Sequence, residues 1–216
     1  MKKRITAILL TSVLMTGMFI TGCESKSNGG NNKASVNKEE KQKSYVKGNL
    51  TESSFESEYL NLKYTLPENF VMSTTEEMLE MSDLGAEISE IDLKKYEYSK
   101  ALLVYEMMAV DVTGTQNVMV VSEKLASSNI TVDKYISGLK SQFKNLKEMD
   151  YKINEEVITK EIAGHTYSVL SMSAMGGIVL QEYHVRIEDG RAIAIIVTAP
   201  DEESKNIMLE GFSTLK

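Results

Sequence analysis

The stretch from Tyr151 to Ala199 constrains the fold more than any other part of this 216-residue chain. It holds four strand-like runs of apolar and β-branched residues. The runs are separated by turn residues, at Gly164-His165, Gly176-Gly177 and Asp189-Gly190. Turn glycines at such short intervals are typical of antiparallel strands that follow one another along the chain. The sequence therefore predicts an antiparallel meander in this region.

Three upstream stretches also have strand patterns. Apolar residues recur at every second position of Tyr59–Pro67, at Leu60, Leu62, Tyr64 and Leu66. This alternation, stopped by a proline, predicts a short strand with one buried face. Residues 101–114 (ALLVYEMMAVDVTG) and 116–125 (QNVMVVSEKL) are apolar and β-branched runs with a Thr-Gly-Thr turn signal at 113–115. We expect them to form a pair of strands.

The clearest helix pattern follows Thr131. Its apolar residues fall on one face of a helix, at Val132, Tyr135, Ile136, Leu139, Phe143 and Leu146. The hydroxyl of Thr131 can cap the first turn, and Asp133 interacts favourably with the positive end of the helix dipole. A helix covering one face of the sheet is therefore predicted from Thr131 to Leu146.

Three other segments have shorter helical patterns. Ser73 or Thr74 can cap a helix that stops at Gly85, and residues 89–99 (SEIDLKKYEYS) indicate one more helical turn. Pro200 and the three acids after it favour a helix that closes the chain. The residues expected on the inner side of this last helix are Ile207, Met208, Phe212 and Leu215.

Together these elements predict an α+β domain, an antiparallel β-sheet flanked by helices. Their order, with the motifs YTLPENF, GHTYSVLS and QEYHVRIEDGRAIAIIVTA, resembles the PsbP-like superfamily over most of residues 59–216. The resemblance implies an α/β/α sandwich. The superfamily includes photosystem extrinsic subunits, a nuclear-import cofactor and many bacterial lipoproteins, and it has no shared catalytic motif. It therefore implies a binding or accessory role and no particular site residue.

The N-terminus has the pattern of a bacterial lipoprotein signal. Met1–Arg4 is basic, the run Ile5–Ile20 is uncharged, and Ile20–Cys23 (ITGC) is similar to the lipobox, whose cysteine receives a diacylglyceryl group. We expect Cys23 to be lipidated and to become the first residue of the mature chain. The alternatives are a secretory signal with a chance cysteine and a retained membrane anchor. The second is disfavoured because a spanning helix needs about 20 apolar residues.

This reading divides the chain into a signal peptide (1–22), a lipidated cysteine with a disordered tether (23–54) and a single domain (55–216). The tether is rich in Ser, Asn, Lys, Glu and Gly and has few residues to bury. Removal of the signal leaves 21 basic and 31 acidic residues, a formal charge of −10. Such a domain is poorly suited to nucleic acid or an anionic lipid surface. Since Cys23 is the one cysteine, the domain has no internal disulfide.

One predicted strand supplies a candidate binding face. Glu182, His184 and Arg186 alternate with apolar residues and therefore share one side of the strand. In an open groove they would form the most reactive cluster in the chain. A solvated or salt-bridged sheet face is the alternative. We predict no metal site, because His165 and His184 lack a third ligand from Cys or an H-E-x-x-H motif.

Two other patterns would support different chemistry. Methionine pairs outside the cytoplasm could bind copper(I), and they occur at Met107-Met108, Met78 with Met81, and Met172 with Met175. These spacings also suit core packing. Ser137 and Lys140 match the S-x-x-K motif of penicillin-recognising enzymes. The partner motifs K-T-G and S-D-N are absent, and S-x-x-K recurs in the tether, so we predict no catalytic residue.

These observations predict a lipid-anchored extracytoplasmic module, held at the cell membrane by the lipid on Cys23. We expect it to act by binding another envelope protein as an accessory component, without enzymatic activity or a cofactor. A small-ligand or metal-binding lipoprotein is the alternative, with the ligand unknown. A hydrolase that uses Ser137 and Lys140 is a further alternative.

Overall fold

The computed structural model describes residues 43–88, 97, 100–146 and 150–215. The strands in these ranges are β1 Asn49–Leu50, β2 Ser54–Ser57, β3 Leu62–Thr65, β4 Phe70–Met72, β5 Leu103–Asp111, β6 Asn117–Lys124, β7 Lys152–Ile153, β8 Ile158–Ile162, β9 His165–Ala174, β10 Val179–Glu188, β11 Arg191–Ala199 and β12 Phe212–Ser213. The helices are α1 Thr75–Ile88, α2 Val132–Asn145 and α3 Glu202–Glu210, and a 3-10 turn spans Met175–Gly177.

The central element is a large antiparallel sheet with the strand order β4-β5-β6-β11-β10-β9-β7, in which β8 also pairs with β9. The predicted meander is confirmed for β9, β10 and β11, which pair in chain order. The predicted strand pair is confirmed as β5 and β6. The first run of the meander forms two short strands, β7 and β8, because the chain turns at Glu155–Val157.

Each face of the large sheet is covered by a different kind of layer. The first face packs against α1 and α2 through a buried apolar cluster that includes Met78, Ile136, Phe143, Met119 and Ile196. The second face packs against a small sheet of order β1-β2-β3-β12 and against α3. Its buried cluster includes Phe55, Leu62, Tyr64, Val120, Ile195 and Met208. The predicted α+β class is confirmed, with a second sheet added to the layer that contains α3.

The helix starts follow the capping residues in the sequence. The Thr131 hydroxyl accepts a hydrogen bond from the Lys134 amide at 3.3 Å, as predicted for α2. At α1 the capping residue is Thr74: its hydroxyl accepts from the Glu77 amide at 3.2 Å, and the Glu77 carboxylate accepts from the Thr74 amide at 2.8 Å. This reciprocal capping box satisfies two amides at the start of the helix.

The predicted C-terminal helix is wrong in its last part. The helix α3 ends at Glu210, and Phe212 lies in β12, where it pairs with Tyr64 of β3. Ile207 was expected on the inner side but is 48% exposed, whereas Met208 is buried. The strand pairing draws the chain out of the helix, so the helical spacing does not extend to the last residues.

The folded part also begins earlier than the predicted boundary at residue 55. Residues 49 and 50 form β1, which pairs with β2, and residues from 43 onwards pack beside the small sheet. The signal peptide, the lipobox and Cys23 lie outside the described residues, as do residues 89–99 apart from Glu97. Every helix in the described ranges is too short or too polar to span a bilayer.

A buried carboxylate joins α2 to the first face of the large sheet. Oε2 of Glu123 on β6 accepts a hydrogen bond from the Tyr135 hydroxyl of α2 at 2.7 Å, and both side chains are buried. Burial raises the pKa of Glu123 from 4.5 to about 7, although the Tyr135 hydrogen bond acts in the opposite direction. The folded state therefore favours the protonated form of this carboxyl.

We predict that Glu123 makes the protein less stable as pH rises. Its pKa is higher in the folded than in the unfolded state, so its contribution to the free energy of unfolding is complete below about pH 4.5. That contribution, about 3 kcal/mol, is lost as pH rises through about 7. Urea unfolding from pH 5 to pH 8 should show that Glu123→Gln removes this loss relative to wild type. The exposed control Glu76→Gln should keep the wild-type dependence. Equal pH dependence in wild type and Glu123→Gln would contradict the prediction.

Candidate functional site

The structure places the predicted triplet on one strand face, but this face is covered. Glu182, His184 and Arg186 all lie on the second face of β10, beneath the small sheet and α3. His184 is fully buried, and the other two side chains are nearly so. The triplet is therefore an internal, salt-bridged part of the sheet rather than an open groove.

Glu182 is the centre of a buried charge cluster. Its Oε1 atom lies 2.9 Å from Nζ of Lys205 on α3 and accepts a hydrogen bond from the Ser171 hydroxyl at 3.1 Å. Its Oε2 atom lies 3.1 Å from Nε2 of His184. Burial alone would raise the pKa of Glu182, but the contacts with His184 and Lys205 outweigh it and lower the pKa to about 2. The carboxylate therefore stays ionised and holds α3 against the sheet.

Burial has the opposite effect on His184. It lowers the pKa of the imidazole below 6.5, although the nearby Glu182 carboxylate partly offsets this. The folded state therefore favours the neutral form of the ring. Among the described residues, neither ring nitrogen has a well-aligned hydrogen-bond partner.

Arg186 connects the large sheet to the small one. Its guanidinium donates hydrogen bonds to the Tyr167 hydroxyl at 3.2 Å and to the carbonyl of Leu60 at 2.8 Å, and it pairs with Glu188. Leu60 lies in the turn before β3, so the contact joins positions far apart in the chain. All these partners belong to the protein, which fits a structural role for Arg186.

The two histidines do not form a pair. His165 begins β9, whereas His184 pairs with Val169, four residues farther along that strand and therefore roughly 13 Å away. Within the described ranges, no group of three or more His, Cys, Asp or Glu side chains is placed to hold a metal ion.

Two of the three methionine pairs are separated by the fold, whereas Met78 and Met81 both pack in the apolar core of the first face. Met107 packs in the core of the second face and Met108 in that of the first, so they do not face a common site. Met172 is buried, whereas Met175 is exposed. Ser137 lies on the exposed side of α2, and Lys140 pairs with Glu155 at 3.2 Å.

A third buried carboxylate, Glu106 on β5, was not predicted from the sequence. A β-bulge between Tyr105 and Met107 turns Glu106 towards the second face, where it is fully buried. Its Oε1 atom accepts a hydrogen bond from the Tyr45 hydroxyl at 2.7 Å, and its Oε2 atom accepts one from the Gly48 amide at 3.0 Å. The sequence did contain a signal, because Glu106 is a charged residue inside the apolar run LLVYEMMAV.

These contacts form what we call the Tyr45 latch, consisting of Tyr45, Gly48, Glu106 and Arg191. The Arg191 guanidinium lies 3.9 Å from the centroid of the Tyr45 ring and donates to the Ser122 hydroxyl at 2.6 Å. Gly48 has no room for a side chain, since a Cβ atom there would lie 2.3 Å from the Phe55 ring. Burial and the adjacent Glu106 raise the pKa of Tyr45, so its hydroxyl remains a hydrogen-bond donor.

The latch fixes where the chain joins the domain. Arg191 is the first residue of β11 and pairs with Lys124, the last residue of β6. We call this end of the strands of the large sheet the Lys43 end, because the first described residues lie there. Lys43 donates a hydrogen bond to the carbonyl of Glu58 at 2.5 Å. The β9–β10 turn lies at the opposite end of the strands, which we call the hairpin end. It lies beside Ala199, the last residue of β11.

A cleft of about 330 Å³ lies at the Lys43 end. It is lined by Lys43, Ser44, Val46, Lys47, Gly48, Asn49, Glu56, Glu58, Tyr59 and Leu215. Two lysines and two glutamates therefore border it, together with the Tyr59 ring. Its volume is at the lower limit for small-molecule sites, about 300 Å³.

The chain is similar to a solved structure, the cyanobacterial PsbP protein (CyanoP) from Synechocystis sp. PCC 6803. The match has 10% sequence identity and a TM-score of 0.47, and it covers 77% of this chain and 94% of CyanoP. No protein-family model matches the chain, and no curated protein does.

We predict that removing the Tyr45 hydroxyl loosens the start of the domain. Tyr45→Phe leaves the buried Glu106 carboxylate without one of its two donors, which should lower the free energy of unfolding by about 1–3 kcal/mol. Hydrogen exchange at Asn49 and Leu50 should become faster. Urea unfolding and exchange mass spectrometry test both effects.

The matched control is Tyr183→Phe. Tyr183 is also fully buried, and in the described part of the chain its hydroxyl has no hydrogen-bond partner. This change should leave stability unaltered or slightly improved. An equal loss of stability in both variants would show that the latch hydrogen bond is not important.

Proposed function

We propose that this protein is a lipid-anchored extracytoplasmic binding or accessory module that contacts another envelope protein. The observation that carries the proposal is the placement of the two ends of the large sheet. The chain that leads back to Cys23 joins the domain at the Lys43 end, where the latch holds it. Exposed apolar residues of the β9–β10 turn lie at the opposite end.

The distance between these ends suits an adaptor. The nine residues of β11 run from the Lys43 end to the hairpin end and span roughly 25–30 Å. The 20 residues from Cys23 to residue 42 can add at most about 70 Å when fully extended. A domain held in this way can reach proteins well beyond the lipid head groups.

The charge of the mature chain supports a protein partner over the lipid surface itself. A formal charge of −10 opposes binding to anionic lipids, so membrane attachment would depend on the lipid at Cys23. Two acyl chains anchor stably, whereas a single chain is marginal.

A second candidate function is small-ligand binding in the cleft at the Lys43 end. Its volume and its mixed lysine and glutamate lining favour a small polar ligand. We rank it second because Lys43 already donates to Glu58, and Glu56 forms an ion pair with Lys63 at 2.7 Å.

We predict that a membrane-impermeant crosslinker on intact cells joins the full-length protein to one reproducible envelope protein. Cys23→Ser should lose incorporation of a labelled fatty acid. It should also give much less of the crosslinked product, because release from the membrane lowers the effective concentration of the pair. Mass spectrometry would identify the partner, and Ser27→Ala is a control that keeps Cys23. Failure to recover the same partner in replicate experiments would contradict the proposal.

A further inference from the structure

The β9–β10 turn exposes two large apolar side chains. Met175, which directly follows β9, is 44% exposed, and Ile178, which directly precedes β10, is 71% exposed. The residues beneath them are firmly placed, since Ala174 is buried and pairs with Val179. We call residues 175–178 the hairpin tip.

The backbone of the hairpin tip has an uncommon conformation. Met175, Gly176 and Gly177 all have positive φ angles, of 53°, 70° and 93°. A Cβ atom at either glycine would meet nothing within 4 Å, so the φ angle and not crowding favours glycine there. Met175 has no such freedom, and left-handed geometry costs a non-glycine residue about 1–2 kcal/mol. The fold therefore holds a strained residue with its apolar side chain pointing towards solvent.

The surroundings of the tip are mostly acidic. The strand β11 ends at Ala199, which pairs with Leu180 just beyond the tip, and α3 starts shortly afterwards with exposed Asp201, Glu202 and Glu203. Lys205 is engaged by Glu182 and Glu202. On the other side, Lys152 opposite Ser173 adds one positive charge.

The position and charge of the tip indicate what can cover it. The anchor joins the domain at the opposite end of the sheet, so the tip is directed away from the attachment point. The acids beside the tip oppose an anionic lipid surface and complement lysine or arginine side chains. Protein interfaces have an apolar core and a polar rim, so two exposed apolar side chains bordered by charged residues fit a small docking surface.

We propose that the hairpin tip is the docking element for the envelope partner, inserting Met175 and Ile178 into an apolar pocket bordered by basic side chains. This inference rests on the proposed function and specifies the surface that performs it. Ile178 is the principal anchor because it is the more exposed of the two.

Photo-crosslinking in cells tests the inference with the full-length chain. A photoreactive amino acid at Ile178 should join the tip to the partner identified with the surface crosslinker. The same group at Val46, which is 67% exposed at the Lys43 end, should give no such product. If the surface crosslinker recovers the partner but Ile178 gives no product with it, the docking role of the hairpin tip is overturned while the proposed function stays intact. Products with lipid at Ile178 would also overturn that role. Absence of partner products from both positions and from the surface crosslinker would remove both proposals.

Two substitutions near the hairpin tip give an independent test, in which the amount of partner product formed by the surface crosslinker is measured. Ile178→Ser should reduce the partner product about tenfold, as expected when one anchoring side chain is lost. Glu203→Lys should also reduce it, because the charge would then repel the basic border. The matched control is Ile158→Ser on β8, which is 48% exposed and away from the tip, and it should change the product less than about twofold. Unchanged thermal unfolding confirms that each variant is folded. Equal effects of Ile178→Ser and Ile158→Ser would overturn the proposal.

Discussion

The Glu106 carboxylate is the interaction on which the arrangement of this domain depends. A charged group at the centre of a strand must find partners when it is buried, because an unpaired buried charge is strongly destabilising. Tyr45 and Gly48 are those partners, and both come from the chain just before β1. The contact therefore brings the start of the domain over the second face of the large sheet. It also determines which end of the large sheet the N-terminal segment joins.

Buried polar groups connect the other layers in the same way. On the first face, Glu123 joins α2 to the sheet through Tyr135. On the second face, Glu182 joins α3 to the sheet through Lys205. Each pair lies among apolar side chains, which supply most of the stability, whereas the polar pair specifies which helix packs at which position. A chain with one cysteine outside the domain must obtain its stability from this packing.

Much of the fold could be predicted because it depends on local patterns. Turn glycines marked the strands of the meander, and Thr131 marked the start of α2. The errors concern contacts between distant residues. The polar composition of residues 43–54 predicted a tether, and nothing local indicated that Tyr45 would reach Glu106. Likewise, alternation showed that Glu182 and His184 share a face but not that a second layer covers it. At the hairpin tip the sequence predicted only a turn. It could not indicate that Met175 and Ile178 are exposed, because exposure depends on what packs above them.

Tyr45 and the hairpin tip lie at opposite ends of the large sheet, and the anchoring and docking roles that we propose both require this separation. The most direct test is a distance measurement by pulsed electron paramagnetic resonance. Because Cys23 is the one natural cysteine, the chain with Cys23→Ser, Val46→Cys and Ile178→Cys carries spin labels at two chosen places. We expect a narrow distribution of distances between the two labels, centred on the order of 30 Å, the span of the large sheet. A broad distribution, or one centred below about 20 Å, would contradict it.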